Sequence, residues 1–385
     1  MDCPHIPELN YAAFSQRLHE SVAGERIPIC GSVEVTARCN LRCAHCFINL
    51  PANDRRAQAQ ELAGSEWRAF LDQIVDAGCL WLLLTGGEPF LRPDFLDIYT
   101  HAKKNGLLIT LFTNGTLITE READHLAEWR PFAIEITLYG RTQETYERVT
   151  GVPGSYARCL RGIELLLDRK LPLKLKTMVL TLNRHELEEM RVFARERGVH
   201  FHYDPLLNLG VGGNRAPAQY RLAAKDAVAL DLTDEQRLAE WRQFCDKFSG
   251  PPPEPDRLYN CGAGIGTFHI DAYGRMSACL MARQPAYDLR RGTFRSGWDD
   301  FMPRVRAQKW TRETPCRHCD LYALCGQCPG WALMESGDPE EPVAYLCQIA
   351  HLRAAAFGWN GGKACDGVER IVTEKPGDVT AFGLK

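Results

Sequence analysis

The sequence contains no run of about 18 apolar residues, so no membrane-spanning helix is expected. Met1 to Glu20 has no basic region followed by an apolar stretch, so no secretion signal is expected either. Positive charge is not in excess: 46 Lys and Arg stand against 49 Asp and Glu, a formal net charge of −3. Nothing in that balance suggests the basic domain or stripe by which a nucleic-acid binder announces itself. Together these absences read as a soluble cytoplasmic protein. With 385 residues the chain exceeds the usual size of one hydrophobic core, and a large domain with a smaller one is expected.

Cysteine, by contrast, is plentiful: there are 16. In a reducing compartment such numbers point to metals rather than disulfides. Cys3, Cys30, Cys79, Cys159, Cys245 and Cys365 fall outside any spaced group and read as small buried residues or inert thiols. The rest are grouped. In Cys39-Asn40-Leu41-Arg42-Cys43-Ala44-His45-Cys46 three thiols occupy one short loop. Structural zinc sites pair cysteines at short spacing with a second pair elsewhere, and no fourth cysteine follows here. Three thiolates suit a cubane iron–sulfur cluster with one iron left open for chemistry. Glycines at Gly86 and Gly87 allow a backbone to approach a ligand closely or to take positive φ, and Pro89 fixes the turn after Glu88.

From Ser32 a strand–helix alternation begins. Strands are expected over Ser32–Thr36, Leu80–Thr85, Leu107–Phe112, Phe132–Thr137, Leu173–Leu180 and Val199–Asp204. Between them lie helical spacings such as Trp67, Phe70, Leu71 and Ile74, and capping pairs at Thr119/Glu122 and Asn183/Glu186. The pattern predicts an α/β fold with a parallel sheet and chemistry at the strands' C-terminal ends. Periodicity does not separate an open doubly wound sheet from a partial barrel. Strand alternation points Glu135, Lys176, His202 and Asp204 toward a lumen or into packing, and Asp204, near a strand end, is the candidate substrate-facing group. The expected divisions are 1–30, an N-terminal extension; 31–215, the strand–helix repeat; 216–258, helices and a Pro-rich linker; 259–360, a cysteine-rich domain; and 361–385, a tail.

The second array comprises Cys261, Cys279, Cys316, Cys319, Cys325, Cys328 and Cys347, with Gly274 five residues before Cys279. Seven spaced cysteines are enough to hold one or two metal centres, and zinc ribbons also pair such motifs.

The three-cysteine loop followed by Gly86-Gly87-Glu88-Pro89 resembles the radical S-adenosylmethionine (SAM) superfamily, and the C-terminal array resembles its SPASM subgroup. The likeness spans roughly residues 31 to 350. It implies a partial (β/α)6 barrel with a small SPASM domain. It further implies that SAM chelates the open iron of a [4Fe–4S] cluster at Cys39, Cys43 and Cys46, and that its reductive cleavage gives a 5′-deoxyadenosyl radical. On this resemblance Glu88 would accept a hydrogen bond from the SAM ammonium. Thr137 would contact its carboxylate, Phe47 would lie beside the adenine and Arg148 would reach the cofactor. Relatives have Asp where this chain has Tyr139.

The resemblance also implies two auxiliary [4Fe–4S] clusters. One would be on Cys316, Cys319, Cys325 and Cys347; the other, nearer the barrel, on Cys261, Cys279 and Cys328. Some relatives use a cysteine shortly before the first of the seven as the fourth ligand of the latter, but here Pro255 sits near that place, which leaves open the distant Cys245 or an iron with no protein ligand. Sulfatase-maturing relatives carry a catalytic Asp after the cysteine equivalent to Cys279; here Leu280 stands there, which speaks against that activity. The implied substrate is a ribosomally made precursor peptide, with a separate PqqD-like leader-binding protein and a reductant such as flavodoxin or ferredoxin as partners. The rival readings are a small-molecule cofactor precursor such as a tetrapyrrole, and a non-catalytic electron carrier or zinc scaffold.

Overall fold

Six parallel strands alternate with helices: β1 Cys30–Glu34, β2 Trp81–Thr85, β3 Leu108–Thr113, β4 Ala133–Thr137, β5 Leu173–Met178 and β6 His200–Asp204. The computed structural model describes residues 11–357 apart from 23, 49 and 249. Cys3, Cys365 and the 361–385 tail lie outside the described residues, as does the side chain of Cys245, which falls on a helix.

The strands pair in sequence order, β1 to β6. A doubly wound sheet reverses its order part-way; this one does not, so right-handed crossovers carry every helix to the same face. The crossover helices are α1 Gly64–Asp76, α2 Phe95–Lys104, α3 Glu120–Glu128, α4 Ser155–Asp168 and α5 Leu187–Glu196. Their apolar stripes, among them Trp67 and Ile74, Ile98 and Tyr99, Leu126, Ile163 and Met190, join one core with alternate strand residues Leu84, Leu111, Ile134 and Leu175. The register aligns these positions: Leu84 sits opposite Leu111, Leu111 opposite Ile134, and Ile134 opposite Leu173. Each fully buried aliphatic side chain contributes about 1.5–3 kcal/mol. The other set of alternating residues faces a cavity.

Helix starts follow local chemistry. The Thr119 N–H donates to Glu122 Oε2 at 3.1 Å and opens α3 as expected. Asn183 and Glu186 do not form such a pair. Asn183 Oδ1 accepts the Leu180 N–H at 2.7 Å, and Glu186 reaches across to Thr142 and Thr145. Glu186 thus ties the start of α5 to the preceding crossover.

The C-terminal half continues the same sheet. β7 Thr267–Ile270 lies parallel to β1, with Cys30 opposite Thr267 and Val33 opposite Ile270. β8 Arg275–Ser277 and β9 Tyr287–Asp288 extend it antiparallel, giving nine strands in the order β9-β8-β7-β1-β2-β3-β4-β5-β6. Between the halves run α6 Ala224–Thr233 and α7 Glu235–Phe248. The fully buried Asp231 of α6 holds Arg237 of α7 at 2.7 Å and Arg353 of the helix Ala344–Ala356 at 2.8 Å. Arg353 also donates to the Leu324 carbonyl at 3.0 Å, beside Cys325.

Candidate active site

All six parallel strands line one cavity of about 490 Å³, through Glu34, Thr85, Phe112 and Thr113, Glu135 and Thr137, Lys176 and Met178, and His202 and Asp204. Strands about 4.8 Å apart reach a single hollow of that size only if the sheet curves around it. The cysteine loop forms its top: Cys39, Cys43, His45, Cys46 and Phe47 all line it.

The loop is built by backbone contacts. After β1 the chain makes a two-residue parallel pairing, Arg38–Cys39 with Leu50–Pro51, which closes the loop at its base. The Cys46 N–H donates to the Cys43 carbonyl at 3.1 Å. The turn after β2 docks flush beneath: the Gly87 N–H donates to Thr36 O at 2.8 Å and the Glu88 N–H to Arg38 O at 3.0 Å. A Cβ at Gly86, where φ is 144°, would stand 2.3 Å from the Thr36 carbonyl oxygen, and one at Gly87 would stand 2.2 Å from that of Arg38. Glycine is required at both positions by this close approach. Pro89 is buried in the first turn of a short 3₁₀ helix.

The three sulfurs are crowded. Burial pushes the Cys39 thiol up to about 12, aided by Glu88 and Cys46; Cys43 is pushed well up by burial and by the other two sulfurs. Desolvated thiols that repel one another's charge suit a bound metal centre, which takes them as thiolates. Donors are aimed at them as well. Leu41 N–H lies 3.4 Å and Asn114 Nδ2 3.7 Å from Cys39 Sγ, and the Tyr139 hydroxyl lies beside Cys43. His45 packs edge-on to Tyr139 at 4.9 Å and leaves its buried Nδ1 without a partner. The donor set therefore fits the cluster that the spacing implied.

Other expected residues divide. Thr137, Phe47 and Asp204 line the cavity, together with Gly86 and Gly87. Asp204 accepts one hydrogen bond, from Leu206 N–H at 2.8 Å, and surrounding protein pushes its carboxyl up. Glu135, Lys176 and His202 form a group: Lys176 Nζ is 3.1 Å and His202 Nε2 3.8 Å from Glu135 Oε2, and burial lowers the lysine to about 8.

Glu88 is not brought to the cavity. Fully buried, it accepts from Thr113 Oγ1 at 2.8 Å, Asn114 N–H at 2.7 Å and Phe90 N–H at 3.2 Å. It thereby positions Asn114, which the sequence reading had not singled out and whose only sequence cue was its place at the end of β3. Arg148 is exposed on the helix Gln143–Thr150 and does not line the cavity either. Also unforeseen is the buried pair of Glu34 on β1 with Arg283, 249 residues later, at 2.9 Å. Leu280 lines the cavity wall, so the position after Cys279 faces the site with an aliphatic side chain.

A second cavity of about 640 Å³ adjoins the first and shares Glu34, Cys46, Phe47 and Ile48 with it. Its far wall comes from the glycine-rich loop Val211–Asn214 and from Asp271, Tyr273, Arg275 and Met281.

The seven C-terminal cysteines gather as two groups. Cys316, Cys319, Cys325 and Cys347 wall one small pocket. Cys261, Cys279 and Cys328 surround Tyr259, whose hydroxyl is pushed up to about 12 by burial and by the three of them.

The radical SAM superfamily model matches residues 33–194, which holds the cysteine loop, the Gly86–Gly87 turn and strands β1 to β5. The chain is 30% identical over 332 residues to PqqA peptide cyclase of Gluconobacter oxydans, covering 81% of this chain and 89% of that one. The chain belongs to the radical SAM superfamily. It is also 28% identical over 334 residues to AdoMet-dependent heme synthase of Methanosarcina barkeri, covering 80% and 94%. Among solved structures, Streptococcus suis SuiB bound to S-adenosylmethionine superposes with a TM-score of 0.66 at 17% identity, over 89% of this chain and 84% of that chain. SuiB has also been solved with its precursor peptide SuiA. The α/β fold with its mostly parallel sheet is thus that of radical SAM enzymes, and the cysteine-rich C-terminal region is consistent with the SPASM subgroup. This radical SAM enzyme binds S-adenosylmethionine and an iron–sulfur cluster. No helix among the described residues is long and apolar enough to cross a membrane.

Proposed function

We propose that this radical SAM enzyme modifies a ribosomally made precursor peptide by crosslinking, epimerisation, decarboxylation or excision. The observation that carries the reading is the second cavity. One hollow lies under the cysteine loop for the cofactor, and another of about 640 Å³ opens beside it across Phe47 and Ile48. An extended peptide segment fits that continuation, and relatives named for peptide cyclisation support it.

In this reading Cys39, Cys43 and Cys46 hold the catalytic cluster, and Gly86, Gly87, Thr137 and Phe47 form the SAM pocket. When bound, the cluster and SAM supply a 5′-deoxyadenosyl radical that abstracts hydrogen from an unactivated carbon. The chain's own residues bind, orient and exclude water. Phe47 stands between the two hollows. Asp204, at the end of β6, presents a carboxylate to the cavity where a substrate would lie. Glu34 is locked by Arg283 and shapes the wall between the cavities.

Two auxiliary clusters are proposed, on Cys316, Cys319, Cys325 and Cys347, and on Cys261, Cys279 and Cys328. We also propose a separate PqqD-like leader-binding partner and a reductant such as flavodoxin or ferredoxin, in a cytoplasmic setting. The likeness to heme synthase, which reaches 94% of that protein, favours a second reading: a tetrapyrrole-type substrate. One experiment separates the two. Reconstituted enzyme, SAM and reductant are incubated anaerobically with precursor peptides encoded beside it, and in parallel with iron coproporphyrin. A SAM-dependent mass change on the peptide alone supports the first reading; a change on the porphyrin alone overturns it.

A further inference from the structure

On its outer side the cysteine loop rests on the end of the helix Gln143–Thr150. Arg42 N–H donates to Thr150 O at 2.9 Å and Ala44 N–H to Val149 O at 2.9 Å. A thin layer of chain therefore separates Cys43 from the surface turn Gly151–Gly154.

Arginines surround that turn. Arg42 Nη2 donates to the Gly151 carbonyl at 3.1 Å, and Arg148 is exposed one turn earlier. Arg158 Nη1 lies 3.1 Å from where a Cβ on Gly154 would stand. Arg161 follows, exposed, three residues along α4, on the same helix face. Among the described residues none of these four has a carboxylate within ion-pair distance. Two acids sit nearby. Glu144 is exposed, and Glu147 is engaged: its Oε1 accepts the Gly154 N–H at 2.8 Å and its Oε2 accepts from Gln143 at 3.2 Å. The face is a net cationic patch on a chain whose overall charge is −3.

Aromatic rings fill the space behind it. The ring of Tyr139, which lies beside Cys43, is 6.0 Å from that of Tyr146, and Tyr146 is 5.4 Å from Tyr156. Tyr156 is half-buried on α4, the helix that carries Arg158 and Arg161, and its hydroxyl accepts from Arg141 Nη1 at 2.8 Å. Close-packed atoms thus run from the arginine face to a cysteine of the cluster loop.

We propose that this arginine face is the docking surface for a small acidic electron-carrier protein of the flavodoxin type. The proposal deepens the reading above by assigning the reductant its place on the molecule. A reduced flavin gives up one electron and the cluster at Cys39, Cys43 and Cys46 gains one. No bond forms or breaks, and the tyrosines are neither oxidised nor reduced; they fill the route. Surface charge of this kind steers encounter and makes it salt-dependent.

The test measures binding of a bacterial flavodoxin to the full, anaerobically purified chain by calorimetry at low and high salt. Arg158→Glu/Arg161→Glu should bind about tenfold or more weakly, with a flatter salt dependence than wild type. Arg158→Gln/Arg161→Gln, gentler to the helix, should fall between. Arg291→Glu, at an 88% exposed side chain on another part of the surface, should bind as wild type does. SAM cleavage driven by dithionite should be unchanged in the Arg158/Arg161 variants, while cleavage driven by flavodoxin drops in step with affinity. Equal affinity for wild type and the Glu pair overturns the docking surface. So does loss of dithionite-driven cleavage, because it assigns these residues to the site itself. The binding arm does not depend on turnover, so failure of the substrate reading leaves it intact.

Discussion

At Gly87 a single hydrogen atom decides whether the β2 turn docks against the cysteine loop. The obstacle to a side chain is the backbone of Ala37 and Arg38, which does not swing away. Gly87→Ala is expected to cost roughly 2–4 kcal/mol and to weaken iron retention; melting temperature and iron content after anaerobic purification check this, and values equal to wild type would count against the tight approach. Glu88 gives a pH signature. Burial raises its carboxyl to about 7 against the ordinary 4.5, despite three donors. The folded state therefore binds the extra proton between those values, so its stabilising share is present below pH 4.5 and lost as pH rises through about 7. Glu88→Gln should flatten the stability–pH curve across that window and lower stability by about 1–3 kcal/mol near neutrality, since the amide cannot accept all three bonds. Denaturant melts at stepped pH read both effects. The glycines were legible in the sequence because a pair after an apolar strand signals close approach. The fate of Glu88 was not, because local pattern does not place beside it the strand that Thr113 ends and Asn114 follows.

Strands and crossover helices were legible to within a residue or two, because the strands place an apolar residue at every second position, as in Leu173–Met178, and their helices carry a clean stripe. Asn183 and Glu186 show the limit: the same spacing that caps α3 serves a tertiary bond at α5. The link between α6, α7 and the helix Ala344–Ala356 was invisible for a similar reason, since Asp231 and Arg353 lie far apart in sequence. Asp231→Ala strands a buried guanidinium, and a loss of about 3–5 kcal/mol is expected. Because Arg353 also holds the Leu324 carbonyl beside Cys325, the same variant should lose iron from the outer cysteine group before the cysteine loop does; iron quantitation with limited proteolysis of 322–357 tests it.

Across the whole molecule the cysteines sort by purpose. Cys43→Ala should abolish 5′-deoxyadenosine formation, whereas Cys319→Ala should keep uncoupled SAM cleavage and lose product. Chromatography of both products reads the outcome, and full product yield from Cys319→Ala would rule out a required role for the outer group. Spacing alone separated the loop from the C-terminal array. What spacing did not disclose is that β7 continues the sheet of β1 and that Glu34 meets Arg283, since neither sequence nor periodicity encodes partners more than 200 residues away.

The parallel seam between β1 and β7 has a consequence for how the chain is made. During translation β1 emerges early, with one margin able to pair only with a segment that ends at Ile270. Until that segment leaves the ribosome, the strand bearing the metal-binding loop stays half-fenced and prone to pair with neighbouring nascent chains. Iron delivery is therefore best timed after Ile270 has emerged, and a cell starved of chaperones should lose this enzyme to aggregates before it loses proteins whose first strand finds its neighbours at once.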